Sequence, residues 1–413
     1  MSNLKKHRFC ELYTMSSGIS STKEQAGHGS PFLSFSTVFN NYFVPDELTD
    51  LMSTSEKEKE TYSIKSGDIF LTRTSEVIDE LAMSCVATKD YPNASYSGFL
   101  KRLRPTQTKV TYSKFMAFYL RSPMFRKTMT NNAVMTLRAS LNEDIFSYLD
   151  LLLPDFDEQV KAGDLLYLLN EKIETNNRIN TELEAMVKTL YDYWFVQFDF
   201  PDANGKPYKA SGGKMVNNDL LKREIPDRWR VMALGDYANI KKGTLITEKD
   251  ANTSGDVKVV SAGLDYSYCH DESNQHENVI TVSASGASAG YVNFWREPIF
   301  ACDCTTVRGK SDIESIYILH FLKMRQEYIY KQARGSAQPH VYPQDIATLN
   351  IEVPPTELLD KFGEKVLLAN TQMTNLLHQN QELKLLIDWL LPMLMNGQVT
   401  VKPSTESKEA QHG

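Results

Sequence analysis

The sequence has no long apolar run and few cysteines. No apolar stretch in its 413 residues approaches the ~18 residues that cross a bilayer, and the basic start is not followed by the apolar segment of a secretion signal. The five cysteines are scattered and odd in number, which does not fit a disulfide framework. We therefore expect a cytoplasmic protein with reduced thiols and no membrane partner.

The sequence also lacks the motifs of catalysis and of cofactor binding. It contains no phosphate-binding loop, dinucleotide fingerprint, zinc-protease helix or nucleophile elbow. Its single Pro-Pro pair follows Val353, so the Asn/Asp-Pro-Pro-aromatic tetrapeptide of amino-methyltransferases is absent. We expect no catalytic residue and no cofactor on this chain.

Five residues have the chemistry of zinc ligands without the usual spacing. They are Cys269, His270, His276, Cys302 and Cys304. Structural zinc sites mostly contain cysteines separated by two residues, a pattern that is missing here. Strand cysteines and exposed histidines are the simpler interpretation, so no metal site is predicted.

Acidic residues are absent from one long stretch. The net charge of −7 argues against a simple electrostatic nucleic-acid binder, which usually has an excess of basic residues. Residues 91–142, however, contain no Asp or Glu and nine Lys or Arg. A local positive field attracts phosphate even when the rest of a protein is acidic, so this stretch predicts contact with a nucleic-acid backbone.

The chain contains an internal repeat. A shift of 200 positions aligns LDLLLP at 149–154 with LNIEVP at 349–354. In each copy a helical stretch follows the proline, with core positions alternately three and four residues apart, which is a heptad seam. The predicted seam residues are Leu166, Leu169, Ile173, Asn180, Leu183, Val187 and Leu190 in the first copy, and Val366, Met373, Leu376, Asn380, Leu383, Ile387 and Leu390 in the second.

Each apolar seam must be covered by another helix, and the helix of each copy can cover the seam of the other. We expect one intramolecular coiled coil, in which Asn180 and Asn380 occupy equivalent core positions and Asn176 adds another polar residue. A buried Asn is tolerated where it sets helix register. The alternative is that each helix only completes the core of its own domain.

The repeat also predicts the domain organisation. Residues 1–155 and 228–355 have the alternating apolar pattern and turn clusters of mixed α/β domains, with short helices near 114–121 and 316–331. Residues 156–198 and 356–396 form the two helical regions, 199–227 a surface linker and 397–413 a flexible tail. The expected fold class is α+β, with two mixed α/β domains separated by two long helices.

Both halves carry side chains suited to reading DNA. Such a reader needs donors that hold phosphates and side chains that reach base edges. The candidates lie in loops after predicted strands, or in the acid-free stretch. They are Thr72, Arg73, Thr74, Arg102, Arg104 and Arg138 in the first half, and Ser283, Ser285, Ser288, Arg308, Lys310, Gln338 and His340 in the second.

These features resemble the specificity subunits of type I restriction–modification systems. The resemblance covers nearly the whole chain and is carried by SGDIFLTR at 66–73, NNRINTELE at 176–184, LYDYWFVQFDFP at 190–201, GSAQPH at 335–340 and residues 349–355. The second half carries a Trp-x-x-x-x-Leu-Gly segment at 229–235, whereas the first half has only residues 9–18 in that place.

The resemblance implies two target-recognition domains on an antiparallel coiled coil, each reading one half of a split, asymmetric site in double-stranded DNA. It also implies docking of two methyltransferase subunits, which use S-adenosylmethionine, and of two restriction subunits driven by ATP and Mg²⁺. This chain binds none of those cofactors. Two other hypotheses stay open: an adaptor between proteins, which needs no basic stretch, and a metal-dependent nuclease.

Overall fold

The computed structural model describes residues 4–77, 80–135, 139–141, 143–335 and 338–401. The chain forms two compact units: unit 1 comprises residues 1–175 and 380–413, and unit 2 comprises residues 176–379. The long helix α7 (Phe156–Tyr191) contributes to both units, as does α12 (Thr356–Met395).

Unit 1 contains the first set of strands and short helices. Its strands are β1 (Lys5–Arg8), β2 (Tyr13–Ser17), β3 (Ala26–Leu33), β4 (Leu51–Met52), β5 (Ile69–Thr72), β6 (Thr74–Ser75), β7 (Ser84–Val86), β8 (Ser95–Tyr96), β9 (Leu100–Pro105), β10 (Val134–Met135), β11 (Ala139–Ser140) and β12 (Asp150–Leu153). Its short helices are α1 (Phe9–Leu12), α2 (Phe35–Asn40), α3 (Glu56–Thr61), α4 (Ser113–Tyr119), α5 (Pro123–Asn131) and α6 (Ile145–Tyr148).

The central strand β5 separates two cores in unit 1. It lies in a four-stranded sheet of order β2-β9-β5-β7, and all four of its residues are buried. Because successive side chains in a strand point to opposite faces, Ile69 and Leu71 enter one core whereas Phe70 enters the other. The second core lies against a three-stranded sheet of order β4-β3-β8, in which β3 and β8 are parallel.

Unit 2 repeats this arrangement. Its strands are β13 (Met215–Asn218), β14 (Arg223–Pro226), β15 (Arg230–Ala233), β16 (Asn239–Lys242), β17 (Val257–Val260), β18 (Tyr268–His270), β19 (Val279–Ser283), β20 (Val292–Trp295), β21 (Ile299–Ala301), β22 (Cys304–Arg308) and β23 (Asn350–Val353). Its short helices are α8 (Leu234–Tyr237), α9 (Asp312–Met324), α10 (Gln326–Gln332) and α11 (Pro343–Ala347).

The sheet orders of the two units match strand for strand. In unit 2 they are β16-β22-β19-β20 and β18-β17-β21, with β17 and β21 parallel. The short helices expected near residues 114–121 and 316–331 are present as α4 and α9–α10. Internal repetition therefore extends over the whole mixed α/β fold and not only over the helices.

The match locates the beginning of the first mixed α/β fold, which the sequence leaves unclear. Strand β1 pairs with β12 as β15 pairs with β23. The Phe9 N–H donates to the Leu149 carbonyl at 2.9 Å, and the Leu234 N–H donates to the Leu349 carbonyl at 2.8 Å. Phe9 thus takes the place of Leu234, although no tryptophan precedes it.

The segment 199–227 is more ordered than a surface linker. It contains the hairpin of β13 and β14, and its Phe200 and Ile225 are buried. Phe200 stacks on Trp229, with ring centroids 5.8 Å apart. The Gly and Pro residues that suggest a loop therefore form turns around a packed hairpin.

The predicted seam is apolar and buried in both units. In unit 1, Leu166 and Ile173 of α7 share one core with Ile387, Leu391 and Leu394 of α12, and Leu169, Leu383 and Leu390 pack against it. In unit 2, Val187 of α7 shares a core with Val366 and Ala369 of α12, and Leu183 and Leu190 pack against it. Met373 is buried, whereas Leu376 is partly exposed.

The helices run antiparallel within unit 2. Asn176 of α7 donates to the Gln379 side chain of α12 at 2.8 Å. Trp194, which lies in a π-helical turn just after α7, packs on Phe362, with ring centroids 6.0 Å apart. Residue numbers therefore increase along α7 while those of their contacts on α12 decrease. Asn176 and Asn380 are buried as the seam predicts, and Asn180 is partly buried.

One arginine, Arg296, connects the mixed α/β fold of unit 2 to both long helices. Arg296, in the turn after β20, donates to the Asn370 side chain at 3.1 Å and pairs with Glu184 at 3.2 Å. Its side chain is only 12% exposed. Burial lowers the pKa of Arg296, and the Glu184 carboxylate opposes that shift.

Removal of this anchor tests the attachment. We expect Arg296→Ala to reduce the free energy of unfolding by about 2 kcal/mol, since hydrogen bonds of a buried charged group are lost. Urea denaturation of the full chain measures the change. The matched control is Arg178→Ala on an exposed face of α7. Equal stabilities of the two variants would contradict an anchoring role for Arg296.

Candidate nucleic-acid interface

Most cations of the acid-free stretch bind the protein itself. Arg104 forms a two-pronged ion pair with the buried Asp68, with N–O distances of 2.7 and 2.6 Å. Its hydrogen bonds to Asp68 raise the pKa of Arg104. Arg102 is buried and donates to the Ser63 carbonyl at 2.7 Å, and burial lowers its pKa. Neither guanidinium is placed to contact a phosphate.

Other basic residues of the stretch are also engaged. Arg121 donates to the carbonyls of Val38, Phe39 and Asn41 at 2.8–2.9 Å, and its burial lowers its pKa. Lys101 pairs with Glu143 and Lys114 with Asp164, at 2.5 and 3.2 Å.

The acid-free stretch is therefore not a phosphate-binding surface as a whole. Its missing acids are supplied by carboxylates from outside it and by main-chain oxygens, which the sequence pattern does not reveal. Lys109 and Lys127 are exposed. Arg138 lies outside the described residues.

A different surface of unit 1 carries Arg73. We call it the first corner: residues 73–75 after β5, residues 97–99 before β9, and residues 139–141. The Arg73 N–H donates to the Phe99 carbonyl and the Leu141 N–H donates to the Arg73 carbonyl, both at 2.9 Å. These bonds fix the backbone while the Arg73 side chain stays exposed.

The residues beside Arg73 differ in their access to solvent. Thr72 is fully buried, and its hydroxyl accepts a hydrogen bond from the Met83 N–H at 2.9 Å. Thr74 is partly buried and pairs with Ser140. Phe99, which the sequence did not single out, is 63% exposed. Arg73 and Phe99 are thus the accessible side chains, whereas Thr72 belongs to the sheet.

Unit 2 has the same construction at what we call the second corner: residues 284–286 after β19, residues 302–303 before β22, and residues 339–341. The Ala284 N–H donates to the Asp303 carbonyl at 3.3 Å, and the Val341 N–H donates to the Ala284 carbonyl at 3.0 Å. These bonds match those of Arg73 in the first corner. Phe99 and Asp303 therefore occupy equivalent positions.

Two predicted residues of the second half, Ser285 and His340, meet at this corner. Ser285 is buried and donates to the Asp303 carboxylate at 2.6 Å. His340 pairs with Ser285 through its backbone and stacks on Tyr342, with ring centroids 6.1 Å apart. Gln338 is exposed, and Ser288 is partly exposed. Ser283 is buried, so it is the counterpart of Thr72 and not an accessible group.

Arg308 and Lys310 lie elsewhere on unit 2. Arg308 is the last residue of β22 and Lys310 lies two residues beyond it, whereas Asp303 precedes the strand, so about 16 Å separates Arg308 from Asp303 at ~3.3 Å per residue. Arg308 pairs with Asp312 at 3.6 Å, and Lys310 is exposed. Lys241 and Lys242 are exposed on the edge strand β16 but are not among the residues predicted from the sequence. Two adjacent lysines in a segment of alternating polarity could have indicated a basic strand edge.

The zinc-type residues do not converge. The described residues contain no group of three or more His, Cys, Asp or Glu side chains arranged to hold a metal ion. Cys304 is buried in an apolar cluster with Val260 and Trp295. Among the described helices, none is both long enough and apolar enough to cross a membrane.

Comparison with known proteins assigns the chain to a family. The family model of the type I restriction modification DNA specificity domain matches residues 9–185 and 226–379, which is most of the chain. Each matched segment contains one corner. The chain therefore belongs to this family, and the resemblance stated from its motifs is confirmed.

Individual relatives agree with the assignment. The chain is 25% identical to the type I restriction enzyme MjaIX specificity subunit of Methanocaldococcus jannaschii over 60% of this chain and 60% of that protein. The match with the HindI specificity subunit of Haemophilus influenzae is 23% identical and covers 89% of this chain and 94% of that one.

A solved structure has the same fold. It is the crystal structure of a type I restriction–modification S subunit from M. genitalium, with 15% identity, a TM-score of 0.58, and coverage of 98% of this chain and 97% of that one. The predicted fold class, two mixed α/β domains with two long helices, is confirmed.

Substitution of Arg73 and of Arg104 distinguishes an arginine that contacts DNA from one that stabilises the fold. We expect Arg73→Ala to weaken DNA binding by about 1–3 kcal/mol with unchanged stability, since its side chain is exposed. Arg104→Ala should instead reduce stability by about 3 kcal/mol, because it leaves the buried Asp68 carboxylate unpaired. Binding titrations at two salt concentrations and thermal melts measure both. Unchanged DNA affinity of Arg73→Ala at either salt concentration would remove it from the interface.

Proposed function

We propose that this chain is the DNA sequence-specificity subunit of a type I restriction–modification complex and has no catalysis of its own. It binds a split target in double-stranded DNA, with each corner reading one part. The family membership, and the names of relatives that are themselves specificity subunits, support this proposal.

One structural observation carries the proposal: the same corner is built twice with different side chains. The backbone hydrogen bonds agree, whereas Arg73 is replaced by Ala284 and Phe99 by Asp303. A repeated scaffold with unlike surface groups suits the recognition of two unlike sequences, because base contacts specify while the fold only positions them. The target is therefore asymmetric. An adaptor between proteins has no such need for paired corners.

The partners follow from the same function. We propose that two methyltransferase subunits and two restriction subunits assemble on this chain, and that S-adenosylmethionine, ATP and Mg²⁺ bind to those subunits. The two copies of each partner need two equivalent docking places. Leu168 in unit 1 and Leu368 in unit 2, 200 positions apart, are 65% and 74% exposed on their helices. Each leucine therefore presents an exposed apolar side chain at the same position of the repeat, where a partner subunit can cover it.

The function is tested by co-expression with a type I methyltransferase subunit from the same host and by single-molecule sequencing of the host genome. We expect a split, asymmetric motif with methylated adenine, which disappears when this chain is omitted. Methylation that persists without the chain would refute the role as specificity subunit and favour the adaptor.

The docking places are tested separately. We expect Leu168→Glu and Leu368→Glu each to reduce the number of bound methyltransferase subunits from two to one, because each change puts a charge into one apolar contact. Native mass spectrometry of the assembled complex counts the subunits. Leu220→Glu, an equally exposed leucine in the turn between β13 and β14, is the matched control. Two bound subunits in all three variants would exclude these leucines.

A further inference from the structure

We propose that Asp303 is a base-reading residue of the second corner and that it accepts a hydrogen bond from an exocyclic amino group, either cytosine N4 or adenine N6. This inference rests on the proposed function and names the chemical group that unit 2 recognises. Asp303 is not among the DNA-reading candidates that the sequence predicts.

Asp303 is a fixed carboxylate with spare hydrogen-bonding capacity. It lies in the turn between β21 and β22, and its carboxylate is oriented by the Ser285 hydroxyl at 2.6 Å from Oδ2. Ser285 itself is buried, so this contact is firmly placed. The carboxylate is partly exposed and forms no ion pair within the described part of the chain. One oxygen therefore remains open to a donor from outside.

The fold does not need an acid at this position. In unit 1 the equivalent residue is Phe99, and the neighbouring backbone hydrogen bonds are the same. The repeat thus provides an internal control: the turn folds with an apolar residue as well as with a charged one. The backbone of the turn therefore does not require a carboxylate at position 303, and a role toward a ligand accounts for its presence in unit 2.

The charge of Asp303 limits what it can contact on DNA. An ionised carboxylate only accepts hydrogen bonds, and it is repelled by phosphate. In the major groove the donors on base edges are the amino groups of cytosine and adenine, whereas guanine presents acceptors. For readout in the major groove, Asp303 therefore faces a base pair through one of these amino groups. The exposed Lys242, in the strand paired with β22, is available for the nearby backbone.

The first corner has the opposite character at this point. Phe99 offers an apolar face, which contacts the thymine methyl group and cannot accept a hydrogen bond. Arg73 beside it donates and suits guanine. The two corners consequently select different base edges through equivalent positions, which explains in chemical terms why the target is asymmetric.

The test removes the amino group and the carboxylate in turn. The complex of this chain with its methyltransferase is titrated with duplexes that carry the motif found by methylation mapping. Each adenine in the motif is replaced by purine-2′-deoxyriboside and each cytosine by 2-pyrimidinone-2′-deoxyriboside, which lack the amino group. We expect one such replacement to weaken binding of the unaltered protein about tenfold or more. The position of that replacement tells adenine from cytosine.

The variants decide whether Asp303 makes the contact. Asp303→Phe introduces the residue of the equivalent position, and Asp303→Leu keeps the approximate size of the side chain but has no hydrogen-bond acceptor. We expect both to weaken binding to the natural duplex about tenfold and to bind the sensitive analogue as well as the natural base. Asp219→Asn, an exposed carboxylate in the turn between β13 and β14, should retain the full analogue effect. Thermal melts of each variant establish that the fold is intact.

Two failures are distinguishable. If the variants at Asp303 keep the natural affinity, or keep the loss with the analogue, the amino-group contact is refuted while the specificity function stands. If methylation is independent of the whole chain, the proposed function itself fails. A folded Asp303→Leu variant with unchanged motif and affinity is sufficient to reject the inference, whatever the behaviour of Asp303→Phe.

Discussion

The apolar seam between the two long helices is the interaction on which both units depend. Unit 1 is discontinuous in sequence, because residues 380–413 join residues 1–175. Its core places Leu166 and Ile173 with Ile387 and Leu391. In unit 2 the same type of contact joins Val187 to Val366. The recognition folds are thus built onto helices that each repeat shares with the other, and neither repeat is complete alone.

Much of this architecture follows from the sequence, because the relevant signals are periodic. The three-and-four spacing of apolar residues predicts the seam, and the shift of 200 positions aligns its two copies. The seam predictions include Leu166 and Ile387, which are buried as expected. The direction of the helices is not contained in the periodicity. It came from the family resemblance, and in unit 2 it is shown by the contact of Asn176 with Gln379.

The candidate interface was less predictable because it depends on tertiary pairing. Arg73 was found from its place after a strand, but Arg102 and Arg104, in an equally plausible setting, bind carbonyls and Asp68. The sequence alone does not distinguish an arginine that binds oxygens of its own protein from one that is free to contact a phosphate. Asp303 was missed for the converse reason, since an isolated acid in a turn carries no pattern. Its position becomes informative only when the register of β22 with β19, compared with that of β9 with β5, shows that Asp303 is the equivalent of Phe99.

The order of residues in unit 1 has a consequence for synthesis on the ribosome. Residues 176–379 contain all of unit 2, so this unit is fully translated before the last helical segment of unit 1. Domains generally fold as they emerge, the N-terminal one first. Here Ile387 and Leu394, which share the core of unit 1 with Leu166, are among the last residues to be translated. All residues of unit 2 are therefore translated before those of unit 1 are complete, and a nascent chain halted before residue 380 lacks the residues of α12 that complete the core around Leu166.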